Sequence, residues 1–167
     1  MSTQVSLETL NALPAERARE HLLACCSSGR WASNVTSGRP YASVGEILAR
    51  SDESVARLDT GDLEQALAGH PRIGAGTTGG GWSRREQAGV QGADQATIQA
   101  LADGNHAYER RFGHIYLVCA TGRSAAELLA LLRQRLDHDP ATEWGIVRGE
   151  LGKINRIRLR RLLEGGG

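Results

Sequence analysis

IQALADGNHAYERRFG, residues 98–113, is the stretch that decides the fold. Ile98, Leu101, Asn105, Tyr108 and Phe112 recur in steps of three and four, which places them on one face of a helix. Gly113 supplies the stop. The same period extends outward in both directions. Downstream, Ser124 and Glu127 start a leucine-rich helix reaching Leu136. Asp139-Pro140 then opens a long helix through Val147, Leu151, Ile154, Arg158 and Leu162.

Upstream, Pro14 suits a first helical position, with Ala18, Leu22, Cys25 and Cys26 following at helical spacing and Gly29 as the expected stop. Trp31 begins a short segment closed by Gly38-Arg39-Pro40. Ser43 and Glu46 form an expected capping box ahead of Ile47 and Leu48. Val55 with Leu58, and Leu63 with Leu67, mark two further helices before Gly69. Ile115 to Ala120 is an apolar run whose period does not separate a buried extended piece from the first turns of a helix. The pattern contains no internal repeat, linker or β-hairpin signal. The expectation is an all-α, single-domain multi-helix bundle spanning residues 1–167, with roughly seven to nine helices and a frayed tail at 165–167.

Composition excludes several classes. The 167 residues suit one core, and a net charge of +1 gives no broad attraction for nucleic acid or an anionic membrane. Arg156, Arg158, Arg160 and Arg161 continue a helical pattern instead of forming a basic tail. No apolar run is long enough to span a bilayer. The three cysteines, Cys25, Cys26 and Cys119, give no disulfide framework, and no secretory signal is visible. The C-terminal glycines are not a peroxisomal address. A reducing, cytoplasmic compartment is expected. The five histidines form no His-x-x-x-His pair and there is no Cys-x-x-Cys, so zinc has weak support. P-loop and Gly-x-Ser-x-Gly patterns are absent.

Against this helical background stands the stretch from His70 to Gln87. It opens His70-Pro71-Arg72-Ile73-Gly74, continues through a segment with five glycines between Gly74 and Gly81, and closes Ser83-Arg84-Arg85-Glu86-Gln87. No helix survives that glycine density. An imidazole, guanidiniums, a carboxylate and a carboxamide thus share one long loop, where chemistry tends to sit. A helix starting near Ser83 also presents free N–H groups and a positive dipole end to an anion. The bland alternative for Ser83 and Glu86 is a capping box, since Ser-x-x-Glu also occurs at 43–46 and 124–127.

Two polar residues sit on apolar stripes. For Asn105 the bland reading is a bond to loop backbone. Arg158 needs a protein carboxylate, a route to the surface, or an anionic ligand. His70 is either a satisfied loop histidine or a proton donor. Cys119 reads as inert core.

In this order and spacing, several short pieces resemble one family. They are Trp31-Ala32, Arg39-Pro40-Tyr41, His70-Pro71-Arg72-Ile73-Gly74, Ser83-x-x-Glu86-Gln87-Ala88-Gly89, Asn105-x-x-Tyr108, Arg111-Phe112-Gly113 and Lys153-Ile154-x-x-x-Arg158-Leu159. The chain resembles, over nearly its whole length, the 2-oxo-4-hydroxy-4-carboxy-5-ureidoimidazoline (OHCU) decarboxylases of urate breakdown. The resemblance implies an all-helical homodimer without metal or organic cofactor, forming (S)-allantoin by loss of carbon dioxide. It implies His70 as proton donor, with Glu86 and Arg158 as further catalytic residues. Implied substrate contacts are Pro71, Ser83, Arg84, Arg85 and Gln87, and the segment Val118, Cys119, Ala120, Thr121 and Gly122, largely through backbone. A functional link to 5-hydroxyisourate hydrolase, the preceding enzyme, is also implied. Glu86 has three open roles: orienting and charging His70, accepting the substrate hydroxyl, or pressing against the leaving carboxylate. Two rival readings are a non-catalytic binding module for a ureide-like anion and a ureide hydrolase using the same pocket.

Overall fold

The computed structural model describes residues 4–74 and 85–164. Among these residues the only regular structure is helical. Helices α1 (Leu7–Ala12), α2 (Ala15–Cys25), α3 (Gly29–Ser37), α4 (Val44–Ala56) and α5 (Thr60–Ala68) precede the polar stretch. A single 3₁₀ turn, Ala88–Val90, follows it, and then α6 (Gln95–Phe112), α7 (Ala125–Arg135) and α8 (Pro140–Glu164). Eight α-helices among the described residues match the all-α expectation.

The chain forms two compact units. The first runs to Gly69 and includes Leu151 onward; the second is His70–Glu150.

The first unit is a helical core around Leu10, Ala18, Leu22, Trp31, Val35, Ile47 and Leu63, each with no exposed surface. On α2, Ala18, Leu22 and Cys25 follow the helical period and are all buried. Pro14 is the residue that precedes this helix, one position earlier than expected. Gly29 does not end α2. That helix stops at Cys25, and Gly29 opens α3, where the Ser28 hydroxyl caps Trp31 N–H at 3.2 Å. The Trp31 segment is therefore a helix, and it buries the indole with its Nε1–H on Ser51 Oγ at 3.0 Å.

Val55 belongs to α4 and Leu58 to the turn beyond it, so one helix stands where two had been expected. The Ser43 cap forms, but the Glu46 carboxylate accepts from Ala42 N–H instead of returning to Ser43, so the box is half made. Arg39 donates to the Leu10, Leu13 and Thr36 carbonyls at 2.9, 2.7 and 2.9 Å. The phenol of Tyr41 donates to Val35 O at 2.5 Å, and burial pushes its pKa up to about 12.

The second unit is built on α6, α7 and the first part of α8. Ile73, Val90, Leu101, Tyr108, Tyr116, Val118, Ala120, Leu128 and Leu132 share one apolar cluster. Gly113 stops α6 and the complete Ser124–Glu127 capping box starts α7, both as expected. Ile115 to Ala120 is not helical; it crosses the core as irregular chain.

Candidate active site

The start of the His70 loop is held by polar side chains of α6. After α5 ends at Gly69, His70 is half-buried and Ile73 drives its side chain into the core. The Ile73 carbonyl accepts from Asn105 Nδ2 at 2.9 Å, so the asparagine on the apolar stripe of α6 has its loop partner. One helical turn further, Glu109 takes a bidentate fork from Arg72 at 2.9 and 2.7 Å. That guanidinium holds the Glu109 carboxyl below its ordinary pKa, and the carboxylate in turn raises that of Arg72.

The two ends of the polar stretch meet through Gln87. Its Oε1 accepts from Gly74 N–H at 2.9 Å, and its Nε2 donates to Arg72 O at 3.4 Å. Gly74 sits at φ 80°, a left-handed conformation that glycine adopts without strain. Gly74 and Gln87, thirteen positions apart, are therefore side by side. Glu86, beside Gln87, is buried at 8% exposure, whereas Arg85 is exposed. Ser83 and Arg84, the Ser83–Glu86 capping box and residues 75–81 of the glycine loop lie outside the described residues.

The segment Val118 to Gly122 is brought to the same unit. An added Cβ on Gly89 would lie 1.9 Å from Arg123 O, so only a residue without a side chain lets the Ala88–Val90 turn approach this closely. Arg123 N–H bonds Ala120 O at 3.0 Å, closing a turn that contains Gly122 at φ 77°. Arg135 Nη1 donates to Leu117 O at 2.6 Å, and Glu150 Oε1 accepts from Cys119 N–H at 3.2 Å. Among the described residues, Val118 N–H and C=O and Ala120 N–H make no hydrogen bond, although each residue is only 3% exposed. Cys119 is half-buried, Thr121 and Gly122 exposed.

Beneath the segment lies a buried charged network. Glu143, with no exposed surface, accepts from Tyr108 OH at 2.5 Å and pairs with Arg135. His138 Nδ1 is 3.2 Å from its other oxygen. Burial first, then the Glu143 bond, raise the Tyr108 phenol far above its ordinary range. Burial pushes Tyr116 up to about 12.

Sequence reasoning passed over Arg135, Glu143, Glu150 and Glu109. For two of them a signal existed: Glu143 and Glu150 lie four before and three after Val147, on the same stripe that singled out Arg158. Arg158 belongs to the first unit, where it is 5% exposed and donates to the Cys25 carbonyl at 2.9 Å. It thereby caps the end of α2 with a cation.

These features define an all-helical scaffold whose second unit holds a histidine loop, a buried carboxylate and an open backbone edge. Comparison gives the particular family. Residues 11–160 match the family model of OHCU decarboxylase, and the chain belongs to that family. It is 30% identical over 147 residues to the uric acid degradation bifunctional protein TTL of Arabidopsis thaliana, covering 84% of this chain and 45% of that relative. The chain thus spans less than half of that protein's length. It is 28% identical to a 2-oxo-4-hydroxy-4-carboxy-5-ureidoimidazoline decarboxylase of Amia calva, over 80% of this chain and 79% of the relative. A crystal structure of OHCU decarboxylase in the presence of (S)-allantoin matches with TM-score 0.75 and 26% identity, covering 87% of this chain and 98% of the other.

Proposed function

We propose that this chain decarboxylates OHCU to (S)-allantoin in urate breakdown. The observation that carries the reading is the family match over residues 11–160. The second unit lends support, because Gly74 at the end of the His70 segment bonds Gln87, and the Gly89 turn lies against Arg123 just beyond the Val118–Gly122 segment.

Loss of carbon dioxide leaves an electron pair on carbon. The ring imine and carbonyls of OHCU delocalise that pair, so the substrate carries its own electron sink and the proposal calls for no organic cofactor or metal. The protein's tasks are to align the breaking bond with that π system and to deliver one proton to one face. We assign the proton to His70, whose ring ordinarily titrates near neutrality. The buried Glu86 is assigned beside it, to orient His70, to accept the substrate hydroxyl or to press against the leaving carboxylate. Arg158 is carried by sequence correspondence to the family's late arginine, as a hydrogen-bonding anchor for an anionic ring.

Val118 N–H, Val118 C=O and Ala120 N–H offer donor, acceptor, donor in order. That is the complement of the acceptor, N–H, acceptor run of a ureide, and buried backbone groups require partners. Pro71, Ser83, Arg84, Arg85, Gln87, Cys119, Thr121 and Gly122 complete the proposed lining.

We also propose that residues 1–167 act as one domain, because the family match runs through both units. A homodimer is proposed on the resemblance alone. A functional link to 5-hydroxyisourate hydrolase draws support from relatives named as bifunctional in uric acid degradation. The cytoplasm is proposed from the three free cysteines. No described helix is long and apolar enough to cross a membrane.

The test supplies freshly generated OHCU and follows the circular dichroism of the allantoin formed. Turnover to the (S) product is expected. Saturable binding without turnover would replace the enzyme by a binding module, and product formation without carbon dioxide release would replace the lyase by a hydrolase.

A further inference from the structure

Glu150 on α8 is 7% exposed, and its Oε1 accepts from Cys119 N–H at 3.2 Å. Two residues earlier along the same segment, the Leu117 carbonyl is taken by Arg135 at 2.6 Å. An i, i+2 pair of backbone groups is what one edge of an extended chain presents. Here two ionised side chains occupy that edge, a guanidinium on the carbonyl and a carboxylate on the amide, where a sheet would place a neighbouring strand. Such bonds are stronger than neutral ones. The groups of Val118 and Ala120 point from the alternate positions and make no hydrogen bond among the described residues, apart from Ala120 O.

We propose that Glu150 is a positioning residue for ligand binding: by clamping Cys119 N–H it fixes the orientation of the Val118–Ala120 edge that receives the ureide groups. The inference rests on the decarboxylase reading for the identity of the ligand, but not for the clamp itself. Glu150 touches no reacting atom. Its bond holds the edge equally before and during the reaction, so its loss acts on binding more than on chemistry.

The experiment compares the parent protein with Glu150→Ala and Glu150→Gln. Glutamine keeps an acceptor oxygen at the same reach; alanine removes it. Amide hydrogen exchange at Cys119, read by NMR, is expected to accelerate about tenfold or more in Glu150→Ala and to stay near the parent rate in Glu150→Gln. With OHCU, KM is expected to rise about tenfold in Glu150→Ala with kcat within about threefold, and the glutamine variant to restore KM. Amides of α6 report whether the fold survives. Should alanine unfold the unit, Glu150→Asp, which keeps the charge and shortens the reach, carries the same comparison and is expected to loosen Cys119.

Parent-like exchange at Cys119 in a folded alanine or aspartate variant overturns the clamp, as does a glutamine variant as defective as alanine. Parent-like KM in Glu150→Ala with accelerated exchange overturns the link to binding. Failure of the parent protein itself to consume OHCU overturns the decarboxylase reading instead, and leaves the exchange comparison to decide the clamp.

Discussion

The two units use polar side chains in opposite ways. In the first, Arg39 and Arg158 donate to carbonyls that follow from helix geometry: Leu10 and Leu13 at the end of α1, Cys25 at the end of α2. The last turn of a helix always leaves such acceptors, and filling them is a matter of stability. In the second, Asn105, Gln87, Arg135 and Glu150 bond Ile73, Gly74, Leu117 and Cys119, none of which is helical. Those bonds hold irregular chain in one shape, which the proposed function uses to keep other groups on the same chain available. The family-like motifs divide in the same way. Trp31 and Arg39-Pro40-Tyr41 lie in the first unit, whereas His70-Pro71-Arg72-Ile73-Gly74 and Gln87, the residues of the proposed site, lie in the second.

Substitutions can break this contrast, and the largest expected effect lies at His70. His70→Ala is expected to lower kcat by about 10²–10⁴-fold, the usual value of a positioned general acid, with little change in thermal stability. Formation of (S)-allantoin at the parent rate would remove the proton-donor role. Next comes Glu143→Ala, which strands the Arg135 guanidinium in a site only 4% exposed. Breaking a buried pair from one side costs about 3–5 kcal/mol. Urea unfolding should show that loss, and because Arg135 also holds Leu117 O, KM should rise in whatever fraction stays folded. A stability loss under about 1 kcal/mol would mean the network is not what supports the segment.

Arg39→Ala tests the other side of the contrast. It removes a charged donor from several carbonyls, and about 2 kcal/mol of stability is expected to go with it. KM and kcat should both stay near the parent values at temperatures where the variant is folded. A selective rise in KM would erase the distinction between scaffold and pocket.

What the sequence reveals follows the same division. α6 and α7 are readable because their period and caps are local: Gly113 stops one and the Ser124–Glu127 box starts the other. Gly29 misleads because a glycine is as acceptable in the first turn of α3 as beyond the end of α2, and only the Ser28 cap decides. Asn105 betrays itself by sitting on an apolar stripe, although its partner, Ile73 O, lies 32 positions away. Glu143 and Glu150 sit on an equally telling stripe, but glutamate on a long helix is ordinarily read as solvated surface. The role of Gln87 is invisible in any local pattern, because its acceptor and donor partners appear only when the loop has closed.

The smallest effect expected concerns the Arg72–Glu109 fork, and it asks whether the His70 loop is held by charge or by packing. Arg72 is half exposed, with side-chain exposure of 55% against 22% for Glu109, so solvent limits the pair to about 0.5–1 kcal/mol even with bidentate geometry. The Glu109 carboxyl lies below its ordinary range because Arg72 bonds and attracts its ionised form. A depressed carboxyl contributes stability above the unfolded value, about pH 4.3, and loses it as pH falls through the lower folded value. The stability gap between the parent protein and Arg72→Ala should therefore be present at neutral pH and shrink below about pH 4. High salt should shrink it as well. A gap that persists at pH 3 would assign the loop to Ile73 packing and the Asn105 bond, leaving the fork no part in presenting His70.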